Sequence, residues 1–300
     1  MSPLFDYPSG SHLVFGGGAS NATSFEESRG VVLPIPLDRT TSYVAGTRNG
    51  PREILLASAQ MELWDDELRA VPLASGVHTL AEMDLPFATM GEAMTVIEHH
   101  ASRVFEAGKF LVVLGGEHSI TPAAVRAAVK TRPGLSVLQI DAHADLREAY
   151  QGSRDSHACA MRRTLEHVPC AQVGIRSLSE PEAKALPSLP TRVFYDIDMR
   201  RDPDWIARVV DCLTDTVYVT IDCDGLDPAI MPAVGTPEPG GLSWHELLAV
   251  LRATFERRTV IGCDVVELCP LPGMVAPNFL CAKLVHKLLG YGLLGSPGSA

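Results

Sequence analysis

Apolar residues in this chain occur in short continuous runs, separated by segments with helical periodicity. The runs lie at residues 31–35, 110–115, 135–140, 192–197, 217–221 and 259–268. Continuous apolar runs of this length are typical of strands in a parallel sheet whose two faces are both covered. The pattern therefore predicts six buried strands.

The segments between these runs carry recognisable helix starts. Thr89 with Glu92 and Ser243 with Glu246 match the capping box, in which two side chains satisfy free backbone N–H groups at a helix start. Thr121 before Pro122 predicts an N-cap followed by proline at the first helical position. Alternation of strands and helices along the whole chain predicts an α/β fold with a mainly parallel sheet.

The domain organisation predicted from the sequence is simple. Residues 1–29 are rich in Gly and Ser and show no hydrophobic period, which indicates a surface arm that could pack between subunits. No linker, low-complexity tract or repeat divides the remainder, so we expect a single domain over residues 30–300.

Composition narrows the class of protein. A formal charge of −11 argues against a broad nucleic-acid interface, because phosphate binding needs clustered Lys and Arg. The N-terminus lacks the features of a signal peptide, and no apolar run approaches the ~20 residues of a membrane helix. Seven cysteines, an odd number, are scattered without a CxxC pair. This usage favours a reducing cytoplasm.

Metal-capable side chains follow three of the predicted strands. In open parallel sheets the ligand site lies at the carboxyl ends of the strands, so these side chains should share one edge. Alternate residues of an extended segment also point to one side. The six candidate ligands are His118, Asp141, His143, Asp145, Asp222 and Asp224.

The charge of this set indicates a metal centre. Four carboxylates this close together could not all stay ionised without positive charge among them, and the three motifs contain no Lys or Arg. A pair of divalent cations would supply that charge. An oxygen-rich set with two imidazoles suits Mn²⁺, and two metals about 3.5–4 Å apart can hold and deprotonate a water. The set predicts a hydrolase.

Other interpretations apply to the single residues. A lone strand-end Asp is usually a helix N-cap or turn residue, and His157 taken alone is typical of a solvated helix start. For the whole set, a non-catalytic metal-binding protein and a binuclear phosphoesterase are alternatives. The first is disfavoured because all candidate positions carry competent residues, and the second because basic phosphate-holding groups are missing from the motifs.

Five ordered motifs resemble those of the ureohydrolase family, which includes arginases and agmatinases. They are GGEHS at 115–119, DAHADL at 141–146, SHACAMRR at 156–163, DCDGLDP at 222–228 and GTPEPGGLS at 235–243. The similarity extends from about residue 30 to about residue 290. It implies a three-layer αβα arginase-like fold, two Mn²⁺ per subunit, and hydrolysis of a guanidino group to urea and an amine. It also suggests a homo-oligomer, either a trimer or a hexamer.

The resemblance further implies roles for individual residues. The ligands of one manganese would be His118, Asp141, Asp145 and Asp222. Those of the other would be His143, Asp141, Asp222 and Asp224. Asp145 would hydrogen-bond the hydroxide between the metals and pass its proton to the departing amine. His157 would relay protons, and Glu267 would hold the guanidinium.

The substrate is narrowed by the loop at residues 146–157. This loop lacks the pattern of Ser and Asn with which arginases recognise the amino-acid end of arginine, and it resembles the loop of agmatinases. The resemblance therefore favours agmatine, with Asp155 or Glu148 as a contact for the free amine. Leu146 and Ala158 depart from the common agmatinase pattern, so an arginase or a guanidinobutyrase-type enzyme is the alternative.

Overall fold

The computed structural model describes residues 13–18, 23–85 and 89–295, and within them eight strands form one parallel sheet. The order across the sheet is β2-β1-β3-β8-β7-β4-β5-β6, and every neighbouring pair is parallel. The strands are β1 (Gly30–Ile35), β2 (Val77–Thr79), β3 (Phe110–Gly115), β4 (Ser136–Ile140), β5 (Cys170–Ile175), β6 (Thr191–Tyr195), β7 (Thr216–Asp222) and β8 (Thr259–Val266).

Helices cover both faces of the sheet. The described helices are α1 (Gly50–Ser58), α2 (Met90–Glu106), α3 (Thr121–Thr131), α4 (Ala160–Thr164), α5 (Glu180–Ala185), α6 (Asp196–Met199), α7 (Trp205–Asp211), α8 (Trp244–Arg257) and α9 (Ala276–Leu294). Residues of α1, α7, α8 and α9 pack in one core cluster, and residues of α2, α3 and α4 pack in the other. The predicted three-layer αβα fold is confirmed.

Both faces of the central strands are buried, which explains their continuous apolar sequences. In β3, Val112 and Leu114 belong to one core cluster, while Leu111 and Val113 belong to the other. Successive side chains of a strand point to opposite faces, so a strand covered on both sides needs apolar residues at every position.

Two strands escaped the prediction, and some boundaries differ. The strand β2 has only three residues, and β5 carries the polar Gln172, so neither forms a long apolar run. The strand β6 ends at Tyr195 because Asp196 begins a short helix, not at residue 197 as predicted.

The predicted helix starts are mostly confirmed. Both capping boxes form, at α2 and at α8. The prediction for Thr121 was wrong: it is the first residue of α3 rather than its N-cap. Its hydroxyl donates to Asp264 Oδ2 at 3.0 Å instead of capping the helix.

Part of the predicted N-terminal arm packs on its own chain. Phe15 is 1% exposed and lies in a core cluster with Ile54 and Val77, and its N–H donates to Thr79 Oγ1 at 3.0 Å. Residues 1–12 and 19–22 lie outside the described residues. A role of the arm between subunits stays a prediction.

Candidate metal centre and substrate cavity

The carboxyl ends of the four central strands deliver the candidate residues to one edge of the sheet. His118 follows β3, the segment 141–145 follows β4, Asp222 ends β7, and Glu267 follows β8. Close packing fixes the first of these turns, because a Cβ added at Gly116 would lie 1.9 Å from the carbonyl oxygen of Leu37. Only glycine fits there.

His118 lies among three carboxylates. Its Nδ1 atom is 3.1 Å from Asp141 Oδ2, 3.2 Å from Asp145 Oδ2 and 3.2 Å from Asp222 Oδ2. The imidazole is 1% exposed. These four residues are the ones predicted for the first metal.

His143 occupies the second half of the centre. Its Nδ1 atom is 2.9 Å from Asp224 Oδ2 and 3.7 Å from Asp141 Oδ1. The ligand atoms of Asp141, His143 and Asp224 lie close enough together to hold one ion, as do those of His118, Asp141 and Asp145. Asp141 is shared by both groups, as it is by the two predicted ligand sets. Asp222, which those sets also share, belongs to neither group.

A hydrogen-bonded chain behind His118 tests whether a cation fits. The ring Nε2 atom is 2.9 Å from Thr220 Oγ1, and Thr220 donates to the buried Asp264 Oδ1 at 2.5 Å. Since the hydroxyl proton of Thr220 goes to Asp264, the hydroxyl must accept from Nε2–H. Neutral His118 then carries a lone pair on Nδ1, which is buried without a hydrogen-bond partner and surrounded by carboxylate oxygens. A metal ion fits this arrangement, because both atom types are metal ligands.

The pKa values of the cluster also indicate a site for cations. Burial, together with repulsion from Asp224 and Asp145, raises the pKa of Asp141 to about 7. Burial lowers the pKa of His143, but Asp224 and the other carboxylates outweigh it and raise that pKa to about 11. Without metals the cluster would therefore hold protons in their place. Divalent cations can replace those protons.

A buried amide ladder orients Asp141. Gln139 Nε2 donates to Asp141 Oδ2 at 2.6 Å, and Gln172 Nε2 donates to Gln139 Oε1 at 2.6 Å. Thr191 Oγ1 in turn donates to Gln172 Oε1 at 2.9 Å. These residues were not predicted from the sequence, where their only signal is a glutamine in each of two largely apolar segments.

Two of the candidate residues have left-handed backbone conformations. Asp145 has φ of 52° and Glu267 has φ of 64°. Such conformations are unfavourable for non-glycine residues and concentrate at functional sites. Local hydrogen bonds hold both: the Asp145 carbonyl accepts the N–H groups of Met161 and Arg162 at 3.0 Å, and Glu267 N donates to Gly116 O at 2.7 Å.

A cavity of about 240 Å³ opens onto the centre. Among its lining residues are His143, Asp145, His157, Asp222, Asp224 and Glu267. Glu267 Oε1 accepts the backbone N–H of His118 at 2.7 Å, which places this carboxylate beside the candidate metal centre. Burial raises the pKa of Glu267 well above its usual range. Ionised Glu267 therefore needs a cationic partner.

The predicted amine contacts lie elsewhere. Asp155 is not among the residues that line this cavity, and its N–H donates to Ser153 Oγ at 3.1 Å. Glu148 is exposed and pairs with Arg162 at 2.7 Å and with Arg163 at 3.0 Å. Other polar residues that line the cavity are Arg147, Tyr150, Ser177, Ser179 and Glu182.

Fold and site together define an α/β protein with a carboxylate and imidazole cluster at the carboxyl edge of a parallel sheet. Residues 28–290 match the family model described as the arginase family, and the chain belongs to that family.

Individual relatives agree. The chain is 43% identical over 277 residues to N(1)-aminopropylagmatine ureohydrolase of Synechocystis sp., covering 90% of each chain. It is 35% identical to agmatinase of Bacillus anthracis, covering 83% of this chain and 86% of the relative. The solved structure of agmatine ureohydrolase of Thermoplasma volcanium superposes with a TM-score of 0.83 at 32% identity, covering 91% of this chain and 93% of the other. The chain is therefore an agmatinase-like ureohydrolase.

In the described part of the chain, no helix has the length and apolar character needed to cross a membrane.

Proposed function

We propose that this protein hydrolyses the guanidino group of an aminoalkylguanidine to urea and an amine, and that His118, His143 and the four aspartates bind two Mn²⁺ ions. The observation that carries the proposal is the buried Nδ1 of His118, which faces three carboxylate oxygens beside a cavity. When bound, the ions would lower the pKa of a water so that it attacks at neutral pH.

Glu267 is proposed to bind the guanidinium. One of its carboxylate oxygens is engaged by the N–H of His118, and the other is left for the substrate. A planar guanidinium donates charge-assisted hydrogen bonds to a carboxylate. Holding the substrate carbon next to the nucleophile lowers the entropic part of the barrier. The substrate cation would also supply the charge that ionised Glu267 needs.

Asp145 and His157 are proposed to handle protons. Asp145 lines the cavity, and its Oδ2 atom lies 3.2 Å from His118 Nδ1. Its carboxylate can therefore accept a proton from the attacking water and pass it to the departing nitrogen. His157 lines the same cavity and can exchange a proton with the amine product. General acid–base transfer of this kind typically contributes about 10²–10⁴-fold to rate.

For the substrate we favour N(1)-aminopropylagmatine over agmatine. Three relatives that carry the former name are 43%, 38% and 38% identical to this chain, whereas the agmatinases of Bacillus are 31–35% identical. The two compounds share the guanidinobutyl group, and the first extends it by an aminopropyl group. Tyr150 and Ser177, which line the cavity, offer hydrogen-bond partners to such an extension.

Agmatine, which the sequence analysis favoured, is the second candidate, because both agmatinase relatives and an agmatine ureohydrolase structure resemble this chain. Asp155 stays a predicted contact only, since it does not line the cavity. The homo-oligomeric state and a cytoplasmic location also stay predictions.

The test is urea release from Mn²⁺-loaded protein with N(1)-aminopropylagmatine, agmatine, arginine and 4-guanidinobutyrate in parallel. We expect the highest kcat/KM for the first compound. A higher value for agmatine would reverse the substrate order and keep the reaction. No urea from any of them, with two Mn²⁺ bound per chain, would contradict the proposed function. His143→Ala is the matched control, and it should lose both metal and activity.

A further inference from the structure

Three hydroxyl groups contact the ring of His157: Ser156 Oγ lies 3.3 Å from Nδ1, and the other two, from Thr40 and Ser42, lie at opposite nitrogens. Thr40 Oγ1 is 3.3 Å from the ring Nδ1 atom and also accepts the backbone N–H of His157 at 3.0 Å. Ser42 Oγ is 3.1 Å from the ring Nε2 atom. The two hydroxyls come from one loop, at residues 40–42, that follows β1. The orientation of His157 therefore depends on the conformation of that loop.

Glu117 fixes this loop from inside the protein. Its carboxylate is completely buried. Oε2 accepts the N–H groups of Arg39 at 2.7 Å and Thr40 at 2.6 Å. Oε1 accepts the hydroxyls of Thr40 at 2.8 Å and Ser119 at 2.6 Å. Four donors thus converge on one carboxylate, which supplies only acceptors when it is ionised.

The hydroxyl proton of Thr40 is used in one hydrogen bond. It goes to Glu117, and both lone pairs of Thr40 Oγ1 remain to accept from His157. The backbone N–H of His157 takes one lone pair, so the contact between Thr40 Oγ1 and Nδ1 is a hydrogen bond only if Nδ1 carries a hydrogen. Ser156 Oγ, also near Nδ1, can accept that same hydrogen. With the hydrogen on Nε2, Ser156 could donate to Nδ1, but the lone pairs of Thr40 Oγ1 and Nδ1 would then face each other. A hydroxyl has one proton and two lone pairs, and all three are then used.

We propose that Glu117 and Thr40 are positioning residues that hold His157 in the tautomer with hydrogen on Nδ1, which places the proton-accepting lone pair of the ring on Nε2. Ser42 then donates to Nε2, and the hydroxyl of Tyr150, which also bonds Ser42, lies next along this path. His157, Ser42 and Tyr150 all line the cavity. This inference rests on the proposed function, since the tautomer matters there for proton exchange with the amine.

The first test reads the tautomer directly and needs no turnover. Selective ¹⁵N-histidine labelling of the full chain, loaded with diamagnetic Cd²⁺ and measured where His157 is neutral, distinguishes protonated from unprotonated ring nitrogens. His157→Gln assigns the signal. We expect the proton on Nδ1 in the unsubstituted chain. A proton on Nε2 would overturn the proposal, whatever substrate the protein uses.

Glu117→Gln should reverse the tautomer. The glutamine oxygen must face the two backbone N–H groups, so its amide NH₂ would face Thr40 and donate to the hydroxyl. The hydroxyl proton of Thr40 is then released and can be donated to Nδ1, which moves the ring hydrogen to Nε2. An unchanged tautomer in this variant would show that Glu117 does not set it.

The second test is kinetic and uses neighbouring threonines. Thr40→Val should lower kcat by about tenfold or more with little change in KM, since general acid–base steps contribute about 10²–10⁴-fold. Thr40→Ser should restore most of the rate. Thr41→Val is the matched control, because Thr41 Oγ1 donates to Asp38 Oδ1 at 3.1 Å in the same loop. Equal losses in Thr40→Val and Thr41→Val would contradict the positioning role.

The two tests separate the possible failures. Absence of urea release with the expected tautomer would overturn the proposed function and leave the positioning relay intact. If Thr40→Val does not fold, the tautomers of the unsubstituted chain and of Glu117→Gln still decide the question.

Discussion

Two clusters of charged side chains in this protein, one buried and one partly buried, differ in their balance of charge. The ligand cluster, formed by His118, Asp141, His143, Asp145, Asp222 and Asp224, contains four carboxylates and neither Lys nor Arg. The balanced cluster, formed by Asp65, Glu67, Arg252, Lys287 and Tyr291, sets two carboxylates against two cations.

In the balanced cluster, side chains of the same protein neutralise the two carboxylates. Lys287 Nζ lies 2.8 Å from Asp65 Oδ1 and 2.9 Å from Glu67 Oε2, and Tyr291 donates to the latter at 2.7 Å. Arg252 also pairs with Glu67. Burial alone would raise the pKa of Asp65, but the hydrogen bond from Lys287 and backbone N–H groups lower it below its usual value. Here the chain itself stabilises the charged forms.

The ligand cluster shows the reverse. Burial and mutual repulsion raise the pKa values of Asp141 and Asp222. Glu267 is buried beside them with a raised pKa as well. A buried carboxylate without an internal cation is costly. Where a protein maintains several of them at a cavity, the missing charge comes from a ligand. We infer metal ions for the aspartates and a guanidinium for Glu267.

Removing one charge from the ligand cluster should have the largest effect. Asp141→Asn removes the carboxylate shared by both metal positions. We expect bound Mn²⁺ to fall and urea release to drop about a thousandfold, equivalent to about 4 kcal/mol, because a catalytic metal contributes several kcal/mol. Metal analysis and a urea assay measure both. Full metal content with full activity would remove Asp141 from the centre.

Removing the cation of the balanced cluster should affect stability instead. Lys287→Met leaves Asp65 and Glu67 short of a partner, and breaking a buried pair typically costs about 3–5 kcal/mol. Denaturant unfolding should show that the free energy of unfolding falls by about 3 kcal/mol, the low end of this range, because Arg252 and Tyr291 still bind Glu67. Metal content should not change. The control is Lys283→Met, whose ammonium binds only the Glu62 carbonyl among the contacts described; it should cost less than about 1 kcal/mol.

Neutralising Glu267, the proposed guanidinium-binding carboxylate, should separate binding of the metals from binding of the substrate. Glu267→Gln keeps an acceptor for the N–H of His118 but loses the charge. Hydrogen bonds to charged groups are worth about 1.5–3 kcal/mol, so kcat/KM should fall about 30-fold with two Mn²⁺ still bound. Loss of metal in this variant would instead mean that Glu267 supports the centre itself.

The smallest expected effect is on the pH dependence of stability, which should have opposite signs for the ligand cluster and the balanced cluster. A folded-state pKa raised from 3.8 to about 7 means that folded Asp141 binds protons that the unfolded chain releases, so metal-free protein should lose stability as pH rises between these values. His143, raised from 6.5 to about 11, extends this loss to higher pH. Asp65 and Glu67 have lowered pKa values, so their contribution is present above pH 3.8 and 4.5 and is lost on acidification below them.

Unfolding of metal-free protein at several pH values measures this slope. In Asp141→Asn, the loss of unfolding free energy between pH 4 and pH 7 should be smaller by about 1 kcal/mol or more. A slope of the same size in the variant would assign the effect to other groups.

Sequence patterns were most informative where one physical constraint acts alone. Strands buried on both faces require continuous apolar residues, so six of the eight described strands were predicted. The strand β5 was missed because Gln172 and Gly174 interrupt its apolar residues. Gln172 serves the amide ladder, which exists only when β4, β5 and β6 lie side by side. Helix starts at Thr89 and Ser243 are local, and both were predicted correctly.

The sequence by itself determined the fold class, the edge of the sheet that carries the site and the identity of the six candidate ligands, because strand ends and alternate spacing are local properties of a chain. Only the tertiary structure decided how far the groups lie from one another and which charges remain without partners. Asp65 and Asp222 are both buried aspartates, and nothing in their own segments shows that Lys287 neutralises the first while His118 and further carboxylates surround the second. Charge balance depends on residues that are distant in the chain, and folding alone brings them together.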